Sequence, residues 1–258
     1  MKKQIIFLTL LIFGCSTTDL TKIETADELF KKAKKEYTDE NYLDAIETFK
    51  ELLLRFPANT IADDAQFYLA ECRYKRAEYV LAASEYDYLI KTMPSSNFVD
   101  YANYKKAISY WKMSPIYPLD QKYTVLAIDE LQNFVETTKL ANLKSDAEKR
   151  ILQLNDKLAK KIYESSLIYY KMHYYRSAIT YCDLLTEKYP DSKYINYALL
   201  VKAKSFFERE KSKLKTSQKD FSKSLKVIDE LKEKQINSEI EQETEFLLTS
   251  IKENQKQS

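Results

Sequence analysis

The stretch AIETFKELLLRFP, residues 45–57, decides how this chain is read. Ala45, Phe49 and Leu52 lie on one helical face, four and then three residues apart, and Pro57 follows five further on. The pattern returns 37 residues later as Ala82, Tyr86, Leu89 and Pro94, and again as Ala178, Cys182, Leu185 and Pro190. Before each lies another helical stretch, in which Ala33, Ala70 or Ser166 is followed four residues later by Tyr37, Tyr74 or Tyr170. Five residues beyond that tyrosine stands a second: Tyr42, Tyr79 or Tyr175. The spacing has a mechanical meaning. Small residues let two antiparallel helices approach closely, the large residues fill the groove between them, and proline closes the second helix. One such pair cannot bury its own apolar face, whereas stacked pairs can, so the pattern predicts an all-α superhelical solenoid with one concave surface.

These positions resemble the tetratricopeptide-repeat pattern, with the tryptophan and glycine of its first helix replaced, for instance by Leu29 and Ala33. Two further repeats carry interruptions. Ala107 and Trp111 open the third, SPIYPLDQ with Pro115 and Pro118 forces a loop, and Ala127, Leu131 and Phe134 complete it. The fifth opens at Ala203 and Phe207, takes a lysine-rich insert from about Glu208 to Asp220, and resumes at Ser224, Ile228 and Leu231. Between repeats three and four, Ala147, Ile151, Leu154, Leu158 and Ile162 keep helical periodicity with no proline or glycine from Asp146 to Lys171. That predicts one helix of about seven turns with Ser145 as its N-cap. The expectation is about five helix pairs in two lobes joined by a long helix. Residues 26–145 hold repeats one to three, 146–252 the long helix and repeats four to five, and 253–258 a frayed tail.

Composition agrees. The only glycine of the 258 residues is Gly14, which argues against phosphate-cradling loops, nucleophile elbows and tight hairpins, all of which lean on glycine. Met1-Lys2-Lys3 followed by the apolar run Ile5 to Phe13 reads as a signal peptide covering residues 1–14, too short to span a bilayer. Its end, Leu11-Ile12-Phe13-Gly14-Cys15, resembles the bacterial lipobox, so Cys15 is the expected lipidation site and residues 15–25 the lipidated cysteine and its polar tether. Removing Lys2 and Lys3 leaves basic and acidic residues equal at 39 each, which gives no excess of positive charge for nucleic acid. Cys72 and Cys182 sit in helical pattern as small apolar residues.

The chain carries little recognisable catalytic chemistry. His173 is the only histidine and falls in the turn of KMHYY; no metal site or nucleophilic dyad can be built around it. Carboxylates alternate with lysines, as in DELFKKAKKE, the mark of solvated helix faces. No catalytic residue and no cofactor are expected. By register with the tetratricopeptide pattern, Phe30, Lys34, Phe67, Glu71, Tyr74 and Lys75 belong to first helices and face the concave groove. Two readings stand for them: capture of an extended peptide, or packing between repeats. Two also stand for Arg209, Lys211, Lys213, Lys215 and Lys219 in the fifth-repeat insert: a patch that docks a partner, or a solvated loop.

The segments ADELFKKAKKEYTDENYLDAIETFKELLLRFP, ADDAQFYLAECRYKRAEYVLAASEYDYLIKTMP and KLAKKIYESSLIYYKMHYYRSAITYCDLLTEKYP, their order, and the lipobox together resemble the BamD family. That family is the lipoprotein component of the bacterial machine that inserts β-barrels into the outer membrane. The resemblance implies a lipid-anchored protein facing the periplasm, which binds the POTRA domains of the barrel-forming subunit BamA and receives unfolded outer-membrane precursors. Alternatives from other settings are a repeat lipoprotein that scaffolds peptidoglycan or division factors, and an envelope hydrolase built from dispersed carboxylates. The lipobox carries a direct prediction. Cys15→Ala should leave the repeats folded but release the protein from membranes, and metabolic labelling with a fatty acid should mark the wild type only. Label on the alanine variant, or none on the wild type, removes the anchor.

Overall fold

The computed structural model describes residues 24–213 and 219–256, and Cys15 and Lys215 lie outside them. Among the described residues every regular element is a helix: α1 (Ala26–Thr38), α2 (Tyr42–Arg55), α3 (Ala62–Lys75), α4 (Tyr79–Thr92), α5 (Val99–Met113), α6 (Lys122–Thr137), α7 (Ala141–Lys171), α8 (Tyr175–Lys188), α9 (Ile195–Lys211), α10 (Ser222–Lys232) and α11 (Ser238–Lys256). From α1 to α10 consecutive helices pack on one another, and α11 packs on α9, the arrangement of a tetratricopeptide-repeat solenoid.

The repeat register holds in all five pairs. Ala33 and Ala45, Ala70 and Ala82, Ala107 and Ala127, Ser166 and Ala178, and Ala203 and Ser224 are all buried, none more than 1% exposed. The contact is close enough that the Ser224 hydroxyl donates to the Ala203 carbonyl at 2.9 Å. One and two turns on, Phe49, Leu52, Tyr86, Leu89, Leu131, Leu185, Ile228 and Leu231 are fully buried. The prolines do their work from outside: α2, α4 and α8 each stop two residues before Pro57, Pro94 or Pro190.

The tight turns inside repeats one, two and four show how the chain manages without glycine. Each first helix ends in a residue of positive φ: Glu40 (62°), Ala77 (59°) and His173 (62°). The next N–H reaches back five residues, as in Asn41 N to Glu36 O at 2.9 Å and Tyr174 N to Tyr169 O at 2.9 Å, which satisfies carbonyls the helix leaves open. This left-handed position is normally glycine's and costs other residues roughly 1 to 2 kcal/mol. The paired tyrosines offset it by packing across the turn, with centroids 5.7 Å apart for Tyr37 and Tyr42, 5.4 Å for Tyr74 and Tyr79, and 5.9 Å for Tyr170 and Tyr175. His173 thus serves as a turn residue, and its Nδ1 lies 2.8 Å from the Tyr175 hydroxyl.

Three boundaries differ from expectation. Helix α7 begins at Ala141 with Leu140 as N-cap, so Ser145 is a surface residue one turn inside. Nothing in the sequence between them breaks a helix, and the run extends back until Thr138 turns extended (ψ 146°), its hydroxyl accepting from Leu140 N at 3.1 Å. At the fifth repeat, α9 continues to Lys211, which shortens the insert. The expected tail from 253 belongs to α11, whose Ile240, Thr244, Leu247 and Ile251 make one buried stripe and pin the helix to Lys256. This last helix has no second-helix partner among the described residues and closes the solenoid with a charged outer face.

Helix α7 serves two cores. Ala147 and Leu154 pack with α5 and α6, while Ala159, and behind it Tyr163, Leu167 and Tyr170, belong to the core of α8 to α11. Among the described residues no helix is long and apolar enough to cross a membrane.

The packing predicts opposite outcomes for two small changes. Ala45→Leu should overpack a site with no room and cost about 1 to 3 kcal/mol. Ala77→Gly should relieve the left-handed turn and gain about 1 kcal/mol. Urea unfolding of both checks the register, and equal stability of the two variants contradicts it.

Candidate functional site

The first helices α1, α3 and α5 carry rings at equivalent places 37 residues apart: Phe30, Phe67 and Tyr104, then Tyr37, Tyr74 and Trp111. All six are half-buried. Phe30 packs edge-on to Phe49 (6.0 Å) and Tyr68 (6.3 Å). Phe67 stacks on Phe98 at the start of α5, centroids 4.4 Å apart at 18°. Tyr74 meets Tyr79 across its turn. Of the residues expected to line the groove, Phe30, Phe67 and Tyr74 therefore spend much of their surface joining one repeat to the next.

The cations are organised around these rings. Lys34 Nζ of α1 sits 3.2 Å from the Tyr68 ring centroid on α3 and 5.4 Å from Tyr37. Lys105 Nζ of α5 sits 4.5 Å from Tyr74 on α3, and the Arg150 guanidinium of α7 4.2 Å from Trp111 on α5. The Lys34–Tyr68 and Lys105–Tyr74 contacts bridge one first helix to the next and Arg150 ties α7 to α5, each contributing about 0.5 to 2 kcal/mol. Sequence reading missed Tyr68, Lys105 and Arg150. The signal was present, because Lys105 lies 37 residues after Tyr68: the same repeat position supplies a ring in one repeat and a cation in the next.

Glu71 forms the centre of this face. It is only 7% exposed, accepts a short hydrogen bond from the Tyr86 hydroxyl of α4, and pairs with Lys105 Nζ at 2.8 Å. Burial, with the Glu71 charge beside it, pushes the Tyr86 phenol far above its ordinary value, so it stays a donor. A second cluster repeats the theme at α7. Asp146 accepts from the Tyr104 hydroxyl and from Arg150 Nε at 2.5 Å. Burial opposes the Asp146 anion, but the hydrogen bonds from Arg150 and Tyr104 outweigh it and hold its carboxyl below the ordinary value. Lys75, one residue past Tyr74, is exposed.

The insert of repeat five is less open than its lysines suggest. Lys213 pairs with Glu210 at 2.5 Å and Arg209 lies 3.9 Å from the same carboxylate, while Lys211 reaches Glu208 at 4.0 Å. Glu210 is buried and also accepts from Asp220 N at 3.4 Å, which ties both ends of the insert to α9. Lys219 is half-buried. A cleft of about 1080 Å³ runs from His173 and Arg176 to Arg209, Lys213 and Lys223. Cys72 and Cys182 are free, buried, and pushed up to about 12 by burial, as packing residues would be. Among the described residues no group of three or more His, Cys, Asp or Glu side chains could hold a metal ion.

With this geometry in hand, the chain can be compared with known proteins. A family model described as YfiO, outer membrane lipoprotein, matches residues 23–221. The outer membrane protein assembly factor BamD of Vibrio cholerae is 19% identical over 207 residues, 76% of this chain and 86% of the relative. The protein of the same name from Rickettsia prowazekii is 30% identical over 122 residues, 46% of this chain and 48% of the relative. Among solved structures, a tetratricopeptide repeat protein from Parabacteroides merdae superposes with a TM-score of 0.34 at 14% identity, covering 90% of this chain and 75% of that one.

The Glu71 cluster makes a stability prediction. Lys105→Met leaves a buried carboxylate without its counter-ion and should cost about 3 kcal/mol, whereas Lys75→Met, at an exposed position, should change little. Chemical denaturation of the two variants side by side decides it, and equal midpoints would mean that Lys105 is not needed as the counter-ion.

Proposed function

The chain belongs to the YfiO family of outer membrane lipoproteins, and on that premise we propose that it is a non-catalytic scaffold of outer membrane protein assembly. The observation that carries the proposal is the family match through residues 23–221, which takes in α1 to α9 and so the whole first-helix face described above. The names of the Vibrio and Rickettsia relatives support the same role. In this reading a lipid on Cys15 holds the solenoid at the outer membrane on its periplasmic side. The chain engages a BamA-like barrel subunit through its POTRA domains, and unfolded barrel precursors bind along the first helices.

The physics of the face suits an unfolded strand. Such a segment is extended, with side chains alternating to either side, and it needs contact area repeated at regular intervals. Rings held by cations provide that area with little entropy left to lose. Because basic and acidic residues are equal once Lys2 and Lys3 are removed, binding draws on local cations such as Lys34 and Lys75 and not on a long-range field. The lysine-bearing insert of repeat five supplies a second surface for the barrel subunit, with Lys211 and Lys213 exposed at its rim.

Two measurements test this. Purification of the lipidated protein from detergent-solubilised membranes should bring down the BamA-like subunit, and recovery of peptidoglycan or division factors in its place would redirect the function. Separately, Lys34→Glu with Lys75→Glu should bind a synthetic carboxy-terminal peptide of a barrel precursor at least tenfold more weakly, about 1.4 kcal/mol, under conditions where the variant, destabilised by loss of the Lys34–Tyr68 contact, is still folded. Equal affinity would take this face out of precursor binding.

A further inference from the structure

The loop between α5 and α6 is built more firmly than a connection needs to be. Its centre is Gln121, only 9% exposed. The Gln121 amide nitrogen donates to Ile116 O at 2.9 Å and Leu119 O at 2.9 Å and shares a longer contact with Tyr117 O at 3.3 Å. Its amide oxygen accepts from the Thr124 hydroxyl at 2.7 Å. With that proton committed, Ser114 must donate to Thr124 (2.5 Å), and Lys157 of α7 donates to Ser114 at 2.7 Å. A directed chain of hydrogen bonds thus runs from Lys157 through Ser114 and Thr124 to Gln121 and the loop's own carbonyls. Two more lysines of α7 hold the outside: Lys161 donates to Leu119 O at 2.7 Å, and Lys160 lies 4.6 Å from the Tyr117 ring centroid. Pro115 and Pro118 fix two further φ angles.

What this rigid frame presents is apolar. Ile116 is 69% exposed and Leu119 55%, side by side at the tip. Single exposed aliphatics are ordinary on a protein surface, but here a buried amide, three lysines and two prolines immobilise the backbone that carries them. Residues 112–122 and 157–161 hold five lysines, Lys112, Lys122, Lys157, Lys160 and Lys161, against the one carboxylate of Asp120. Asp156, the neighbouring acid on α7, is taken by Ser192 and Lys193.

We propose that this loop is a preorganised docking knob, and that its occupant is a folded protein whose surface offers an apolar recess bordered by carboxylates. Two observations select a folded protein over a lipid surface. A fluid bilayer gains nothing from a backbone held at fixed geometry, whereas a shaped recess rewards it by sparing the ordering entropy of binding. Lys157, Lys161 and Lys160 are also spent on loop atoms and are not splayed outward towards headgroups, which leaves the exposed Lys112 and Lys122 to meet carboxylates around a recess. The knob uses none of the residues tested for precursor binding, Lys34 and Lys75, so its outcome does not depend on that reading.

The experiment uses the full-length lipidated protein in its native membranes, with a photo-crosslinking benzoylphenylalanine in place of Ile116 or Leu119. The expected result is a crosslink to one protein, on a peptide of apolar residues flanked by Asp or Glu. Reversing the exposed Lys112 and Lys122 to Glu should cut its yield at least fivefold. Ile116→Ser with Leu119→Ser changes only exposed side chains, so it should leave the melting curve in place and reduce co-purification of that identified protein at least tenfold. Crosslinks to lipid alone, crosslinks insensitive to charge reversal, or undiminished co-purification each overturn the proposal.

Discussion

Everything in this fold depends on the near-contact of two backbones at one point in each helix pair. Where Ala33 meets Ala45, or Ala203 meets Ser224, a side chain larger than a methyl or hydroxymethyl group would push the helices apart. The large residues one and two turns along would then no longer fill the groove between them. The constraint is local to each pair but collective in effect, because every repeat uses its neighbours to bury what it cannot bury alone. Interruptions are tolerated wherever they leave this contact intact. Ala33 and Ala45 are twelve positions apart, as are Ala70 and Ala82 and Ser166 and Ala178, whereas Ala107 and Ala127 are twenty apart and Ala203 and Ser224 twenty-one. The extra residues leave the solenoid as a loop or an insert without disturbing either helix's buried face.

Between pairs a different physics takes over. Successive repeats are joined by cations lying on rings, by Lys105 paired with Glu71 and by Tyr104 bonded to Asp146, contacts that are directional and partly shielded from water. The inner face is consequently part structure and part surface. Phe67 and Tyr74 hold repeats together, while Lys75 remains free of that duty and Lys34 combines both roles, since its charge rests on Tyr68 at the edge of the groove. A binding function on this face has to draw on what packing leaves over.

The long helix α7 shows the same economy. Its first half completes the core of the third repeat and its second half is the first helix of the fourth, so the lobes share a rigid element where a linker could have stood. The same helix supplies the lysines that staple the α5–α6 loop, which makes that loop's geometry a property of both lobes.

How much of this was legible in the sequence follows from the range of the forces involved. Helix periodicity, the small-residue contacts, the proline stops and the long unbroken helix depend on residues a few positions apart, so AIETFKELLLRFP and its copies determined the fold class and the pairing by themselves. The site was less legible. That Phe67 would stack on Phe98, that Glu71 would lie buried against Tyr86 and Lys105, and that Tyr68 and Lys105 would trade ring and cation at one repeat position are decided by how the next pair is stacked. Residue spacing within one helix does not contain that rotation. The docking of α11 was settled in the same way, by its contact with α9. Local sequence determined which helices form and which faces they must hide. Only the tertiary structure decided which of the remaining side chains are covered, because burial of a ring or a charge is a property of its neighbours in space.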